Sequence, residues 1–360
     1  MITEREVALR AYRHEETPWI PATVSCQNTC LPRAVKASSR NYGLSTDWLG
    51  VKYIHPKDQV SSMPLEDDVV IKDIENWADY LHFPDIDAAS DWERCAQLDT
   101  ASWDRKNKIT SVIIVNGLFE AFHMARGMED ALCDLITNPD EVSEVMSALA
   151  DHQIRVIQHV AKYYKPDKIQ FHDDYGNARS TFMSMDAWRT LIKPHLKRII
   201  DATHECGLIY EHHSCGYIVP LMDDLTELGI DAWNPVQFIN RPYELQKKYG
   251  DKLTFVGGFD DAITNNSFKS DDEVKEVLKA GLENMERKSW IAQPAFIADV
   301  GYRNAIWVKM LDEYNAPLMA KYGVTPPERD YEALTDTRFR RYPDSEEQTE
   351  EFKGVVPVNF

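Results

Sequence analysis

The stretch Leu208-Ile-Tyr-Glu-His-His-Ser-Cys-Gly216 decides how this chain is read, because it predicts a β-strand that ends in metal-binding chemistry. Side chains on a strand alternate between faces, so Glu211, His213 and Cys215 fall on one side and His212 and Ser214 on the other. A carboxylate, an imidazole and a thiol then converge on one point. Zinc accepts thiolate and imidazole together and keeps a position open where a site is catalytic. The bland alternative is a small buried thiol beside a hydrogen-bonded histidine, since cysteine often serves as a compact hydrophobe.

Working outward, strand-type runs recur at 109–116, 168–173, 231–236, 253–258 and 290–297, each bounded by Gly, Pro, Asn or Asp. Amphipathic helices separate them. Asn138-Pro-Asp-Glu141 offers an N-cap, a proline at the first helical position and carboxylates behind it, and Val142, Val145, Met146 and Leu149 follow at helical spacing. Ser184 opens another helix, with Trp188, Leu191, Ile192, Leu196 and Ile199 on its apolar face, Pro194 as a kink and Gly207 as its stop. Ser270-Asp-Asp-Glu273 is a capping box for a third. Strands alternating with helices imply a parallel sheet, and the length suits a (β/α)8 TIM barrel, typically ~250 residues before insertions. Residues 19–24 supply its first strand, and the eighth is assigned to the Trp-, Asp- and Pro-rich region from about 40 to 105, a decorated insertion. One barrel domain over 1–325 and a C-terminal tail over 326–360, surface-wrapping or partly disordered, complete the organisation.

Composition narrows the function. The 360 residues are 43% hydrophobic, enough for a substantial core. A formal net charge of −19 argues against a nucleic-acid backbone as partner. The charged N-terminus does not read as a signal peptide, and the most apolar windows are too short for a bilayer, so a soluble cytoplasmic protein is expected, with no membrane partner. Six cysteines in so long a chain read as thiols or ligands. Cys26-x3-Cys30 is read as two ordinary thiols, and His152 and His159 as surface or interface residues. A homo-oligomer is left open.

In a parallel barrel the active site lies at the C-terminal strand ends. There Gln170, His172 and Asp174 share a face, and three polar inward positions do not suit barrel filling, which favours branched apolar side chains. Asp173 or Asp174 is a candidate cap for the following helix. The catalytic candidates are therefore Asp174, His172, Asp173 and Glu211; the metal candidates are His213 and Cys215; and Asn116, Phe119, Tyr175, Asn234 and Gln237 are candidate substrate contacts. Gly257-Gly258 is read as a turn into Asp260 as N-cap. No P-loop, strand-linked dinucleotide fingerprint or nucleophile elbow is present.

Read together, Glu16-Thr-Pro-Trp-Ile-Pro21, Asn116-Gly-Leu-Phe-Glu120, His172-Asp-Asp-Tyr-Gly-Asn177, Lys193-Pro-His195, His213-Ser-Cys-Gly216 and Phe255-Val-Gly-Gly-Phe-Asp260 resemble the uroporphyrinogen decarboxylase superfamily over roughly residues 4–320. The resemblance is strongest to its corrinoid-dependent methyltransferase branch. It implies a (β/α)8 barrel, zinc held through the His-x-Cys-Gly motif, and cobalamin carried by a separate corrinoid protein.

Two departures refine that expectation. Decarboxylases of the superfamily carry an Arg-rich segment after the first strand, whereas residues 25–33 here offer only Arg33. Thiol-methylating members add a later cysteine ligand, but this chain has no Cys beyond Cys215, leaving Glu211, Asp174, His172 or Asp299 to fill the place. Oxygen-rich ligation suits a departing alkoxide or phenolate. The expected activity is transfer of a methyl group from a small methylated donor, an aryl methyl ether above all, to the corrinoid cobalt. The alternatives are transfer from methyl-corrinoid to a thiol or other acceptor, and decarboxylation of a small acid.

Overall fold

The computed structural model describes residues 2–35, 43–56, 62–65, 68–88, 91–296 and 300–331. Its strands are β1 (Gln27–Cys30), β2 (Gly43–Thr46), β3 (Lys52–His55), β4 (Met63–Pro64), β5 (Ile109–Ile114), β6 (Lys168–His172), β7 (Ile209–His213), β8 (Ala232–Val236), β9 (Thr254–Gly257) and β10 (Trp290–Ala292). Seven of them form one parallel sheet in the order β1-β5-β6-β7-β8-β9-β10, with helices between successive strands. Every residue of β5 is buried, as expected of a parallel strand covered on both sides. An isolated parallel bridge from Ala22 to Ala292, in which the Ala292 N–H donates to the Pro21 carbonyl at 2.8 Å, brings the first segment against the last strand. The sheet is thus curled in the manner of a TIM barrel, with seven strands among the described residues.

Two strand expectations change. The first strand lies at Gln27–Cys30 and not at 19–24, where only the Ala22 bridge forms and a helical turn, Thr23–Cys26, intervenes. Pro18 and Pro21 have no N–H to give a ladder there. The insertion supplies no barrel strand among its described residues; β2, β3 and β4 build a separate antiparallel sheet instead. Asp47 shapes its first turn by accepting the N–H groups of Leu49 (2.9 Å) and Val51 (3.0 Å) and the Tyr53 hydroxyl (2.9 Å). Part of the tail expectation, 332–360, lies outside the described residues, as does Asp299.

The helix signals translate into structure with local corrections. The Ser270 capping box forms and starts Asp271–Asn284. Ser184 caps its helix, which widens to a π-turn at Trp188–Ile192 just before Pro194, a residue with no N–H for a regular ladder. The Pro139–His159 helix makes no side-chain cap through Asn138. His152 on that helix is buried and stacked on Trp48 of the insertion (ring centroids 4.2 Å apart), contrary to the expectation of a surface residue. Its burial lowers its pKa to about 4. Cys26 and Cys30 are buried free thiols.

The helix Glu4–Tyr12, capped by the Thr3 hydroxyl, closes the N-terminal end of the sheet. Ala8, Ala11 and Tyr12 pack with Ile109, Ala232, Val256 and Ile291. The opposite end, where the strands finish, is left for chemistry. No helix among the described residues is long and apolar enough to cross a membrane.

Candidate metal centre

Two neighbouring loops carry the site. β6 runs from His172 into Asp173-Asp174-Tyr175-Gly176, and β7 runs from His213 into Ser214-Cys215-Gly216. Their backbones touch. A Cβ on Gly216, whose φ is +80°, would sit 2.2 Å from the Gly176 carbonyl, so only glycine permits this approach. The approach lets the Asp174 Oδ1 accept the Cys215 N–H at 2.7 Å.

Asp174, His213 and Cys215 thereby present ligand atoms within 4.8 Å of one another. Cys215 Sγ lies 3.5 Å from His213 Nε2, which is 3.8 Å from Asp174 Oδ1. All three are half-buried. His213 Nδ1 faces the Asn234 Oδ1 at 2.9 Å, while the Asn234 amide donates to Gln293 Oε1 at 2.7 Å. This amide turns the Nε2 lone pair of His213 toward Cys215 and Asp174, the arrangement in which a histidine ligates a metal. Gln237 steadies the same β7 loop: its Oε1 accepts the Gly216 N–H at 2.6 Å and its amide donates to Asp261 at 2.8 Å.

Burial, then the Asp174 and Glu120 carboxylates, push the Cys215 thiol up. A divalent cation would reverse that balance by favouring thiolate and carboxylate together. One sulfur, one nitrogen and one oxygen donor, with a hydrogen-bonded imidazole, fit zinc.

The remaining candidates fall into distinct places. His172 stacks face to face on His213, with centroids 3.8 Å apart and planes 2° from parallel. Glu211 is drawn down into the barrel, where Tyr12, Lys168 and Gln170 occupy its oxygens, so the carboxylate that meets His213 and Cys215 comes from Asp174. Asp173 caps the Phe119–Arg126 helix from across the sheet, accepting the N–H groups of Leu118 (3.0 Å) and Glu120 (2.9 Å) and the Tyr175 hydroxyl (2.7 Å). That is not the helix following it. Burial raises Asp173 to about 6 despite these donors. Phe119 and Tyr175 are fully buried in the layer between sheet and helices, Tyr175 against Trp188 and His212. Asn116, at φ +57°, donates to Asp47 and to the Tyr53 hydroxyl, both at 3.2 Å, and so ties the insertion to the end of β5.

Glu120 was not among the sequence candidates. It closes the Asn116–Glu120 motif, and burial followed by the Asp174 and Asp173 charges raises its carboxyl well above the usual range. Its place in the motif was visible, but its facing Asp174 depends on Gly117, where a Cβ would meet the His172 carbonyl at 2.6 Å.

Residues 114–298, just over half of the chain, match the family model for uroporphyrinogen decarboxylase (URO-D). No curated protein sequence matches the chain. Among solved structures, a methyltransferase from Methanosarcina mazei superposes with a TM-score of 0.65 at 15% identity, covering 88% of this chain and 100% of that one. At that identity the likeness is one of fold.

Proposed function

This chain belongs to the uroporphyrinogen decarboxylase family, and from that premise we propose that it is a zinc-dependent methyltransferase that demethylates a small methylated donor, an aryl methyl ether above all, with the cobalt of a separate corrinoid protein as methyl acceptor. The observation that carries the reading is the convergence of Asp174, His213 and Cys215 at the ends of two adjacent strands.

Zinc held by these three residues would supply a Lewis acid to the departing oxygen. In that reaction the methyl carbon would pass to cob(I)alamin as the C–O bond broke, the electron pair would stay on oxygen, and the alkoxide or phenolate would take a proton from water or an acid at the mouth. With the nucleophile supplied by the partner's cobalt, the work of the chain would be positioning and leaving-group stabilisation. Asp174 in the third position, in place of a second thiolate, favours an oxygen leaving group over activation of a thiol.

Arg33 speaks against decarboxylation of a polyanion. Its Nε and backbone N–H both hold the buried Asp99, at 2.5 and 2.9 Å, which commits it to a structural pair. The test incubates the protein with cob(I)alamin and a panel of aryl methyl ethers and follows methylcobalamin by its absorbance. Methyl transfer that disappears on chelation and returns with zinc is expected. Methylcobalamin formation that survives chelation would refute the metal's role, and carbon dioxide release from small acids without methyl transfer would refute the reaction class.

A further inference from the structure

Beneath the metal triad, the barrel interior holds polar groups whose hydrogen-bond directions are fixed by chemistry. Lys168 and Glu211 are wholly buried and ion-paired at 2.5 Å. The Glu211 carboxylate also accepts from the Tyr12 hydroxyl at 2.6 Å and from the Gln170 Nε2 at 2.7 Å. A carboxylate paired with an ammonium only accepts hydrogen bonds. The Gln170 amide is therefore committed: its NH2 faces Glu211, and its Oε1 faces His172 Nε2 at 2.9 Å. An amide oxygen also only accepts, so His172 Nε2 must carry the proton.

We propose that Gln170, oriented by Glu211, is a positioning residue that holds His172 as its Nε2–H tautomer. Asn234 imposes the opposite tautomer on His213, with the proton on Nδ1 and the lone pair on Nε2. Two imidazoles stacked 3.8 Å apart thus carry their protons on different nitrogens. The His172 ring is set by an anchor whose polarity cannot invert, and the His213 ring by an amide. The consequence rests on the metal reading: the ring stacked on a ligand of the cation is held in one orientation by a hydrogen-bond chain rooted in the buried Lys168–Glu211 pair.

The tautomers are readable without metal or substrate. Long-range 1H–15N correlation spectra of the metal-free protein labelled with 15N-histidine report which ring nitrogen is protonated, and His172→Gln identifies the His172 signals. The expected result is a pyrrole-type Nε2 and a pyridine-type Nδ1 for His172, and the reverse for His213. Gln170→Leu should turn the His172 pattern into a mixture. So should the paired change Lys168→Met with Glu211→Gln, which lets the Gln170 amide flip without leaving an unpaired buried charge. A wild-type His172 protonated on Nδ1, or a pattern unmoved by Gln170→Leu in a folded protein, overturns the proposal. Failure of zinc to bind would sink the metal centre while leaving the tautomer measurement intact.

Discussion

The two ends of one polar column inside the barrel make opposite use of similar chemistry. At the floor, Lys168, Tyr12 and Gln170 saturate Glu211, and every group there answers another. At the mouth, Asp174, His213 and Cys215 turn acceptor and thiol atoms toward one another, with no ammonium or guanidinium hydrogen-bonded among them in the described residues. A closed set of charges supports a fold; converging donor atoms support a cation. The difference is one of complementarity and not of residue type, because carboxylates serve at both ends.

Four measurements would break or sharpen this contrast. Lys168→Met alone should cost about 3–5 kcal/mol in urea denaturation, since it strands a buried carboxylate, and removing Glu211 in the same chain should restore most of the loss. A floor that tolerates the single change would erase the distinction between the two ends. His213→Ala or Cys215→Ala should lower zinc affinity by at least about 100-fold in a chelator competition, more than loss of an outer hydrogen bond, with little change in the stability of the metal-free protein. Stoichiometric zinc in both variants would disprove the ligand set. Asn234→Ala should weaken zinc by about 10-fold, because it frees the His213 ring without removing a donor.

The last measurement is a control remote from both ends. Burial lowers His152 to about 4 from its ordinary 6.5, so the unfolded chain binds the proton first as pH falls. Its contribution to stability is complete above about pH 6.5 and is lost down toward pH 4, at about 1.4 kcal/mol per pH unit. His152→Phe should remove one proton's worth of that slope while leaving zinc binding unchanged. An identical slope in the variant would place the titration elsewhere.

Much of the fold was legible because parallel strands and their helices announce themselves locally. The runs at 168–173, 208–214 and 231–236 appear as β6, β7 and β8 with ends displaced by a residue or so. The first strand lies later than its apolar run because Pro18 and Pro21 interrupt the ladder there. The hairpins of the insertion could not be assigned to a separate sheet from pattern alone, since antiparallel and barrel strands share short apolar runs.

The adjacent histidines of β7 show where sequence reading stops. Alternation placed His212 and His213 on opposite faces. His212 is enclosed by Tyr210 and Tyr175, where burial and then the neighbouring His213 lower it to about 3, whereas His213 meets Cys215. Parity along one strand was thus sufficient to bring His213 and Cys215 together. It could not choose among Glu211, Asp174 and His172 as companion, because all three satisfy the same alternation.

The sequence by itself determined the βα alternation, the family motifs and the His213–Cys215 pair, all of which depend on neighbours within a few residues. Only the tertiary structure decided that Asp174 reaches them while Glu211 is claimed by Lys168, and that Asp173 caps a helix from another part of the chain. Those outcomes depend on how adjacent strands align and on two glycines whose backbones touch across loops about forty residues apart, from Gly176 to Gly216. Register between strands is a property of the packed sheet, and no single strand encodes it.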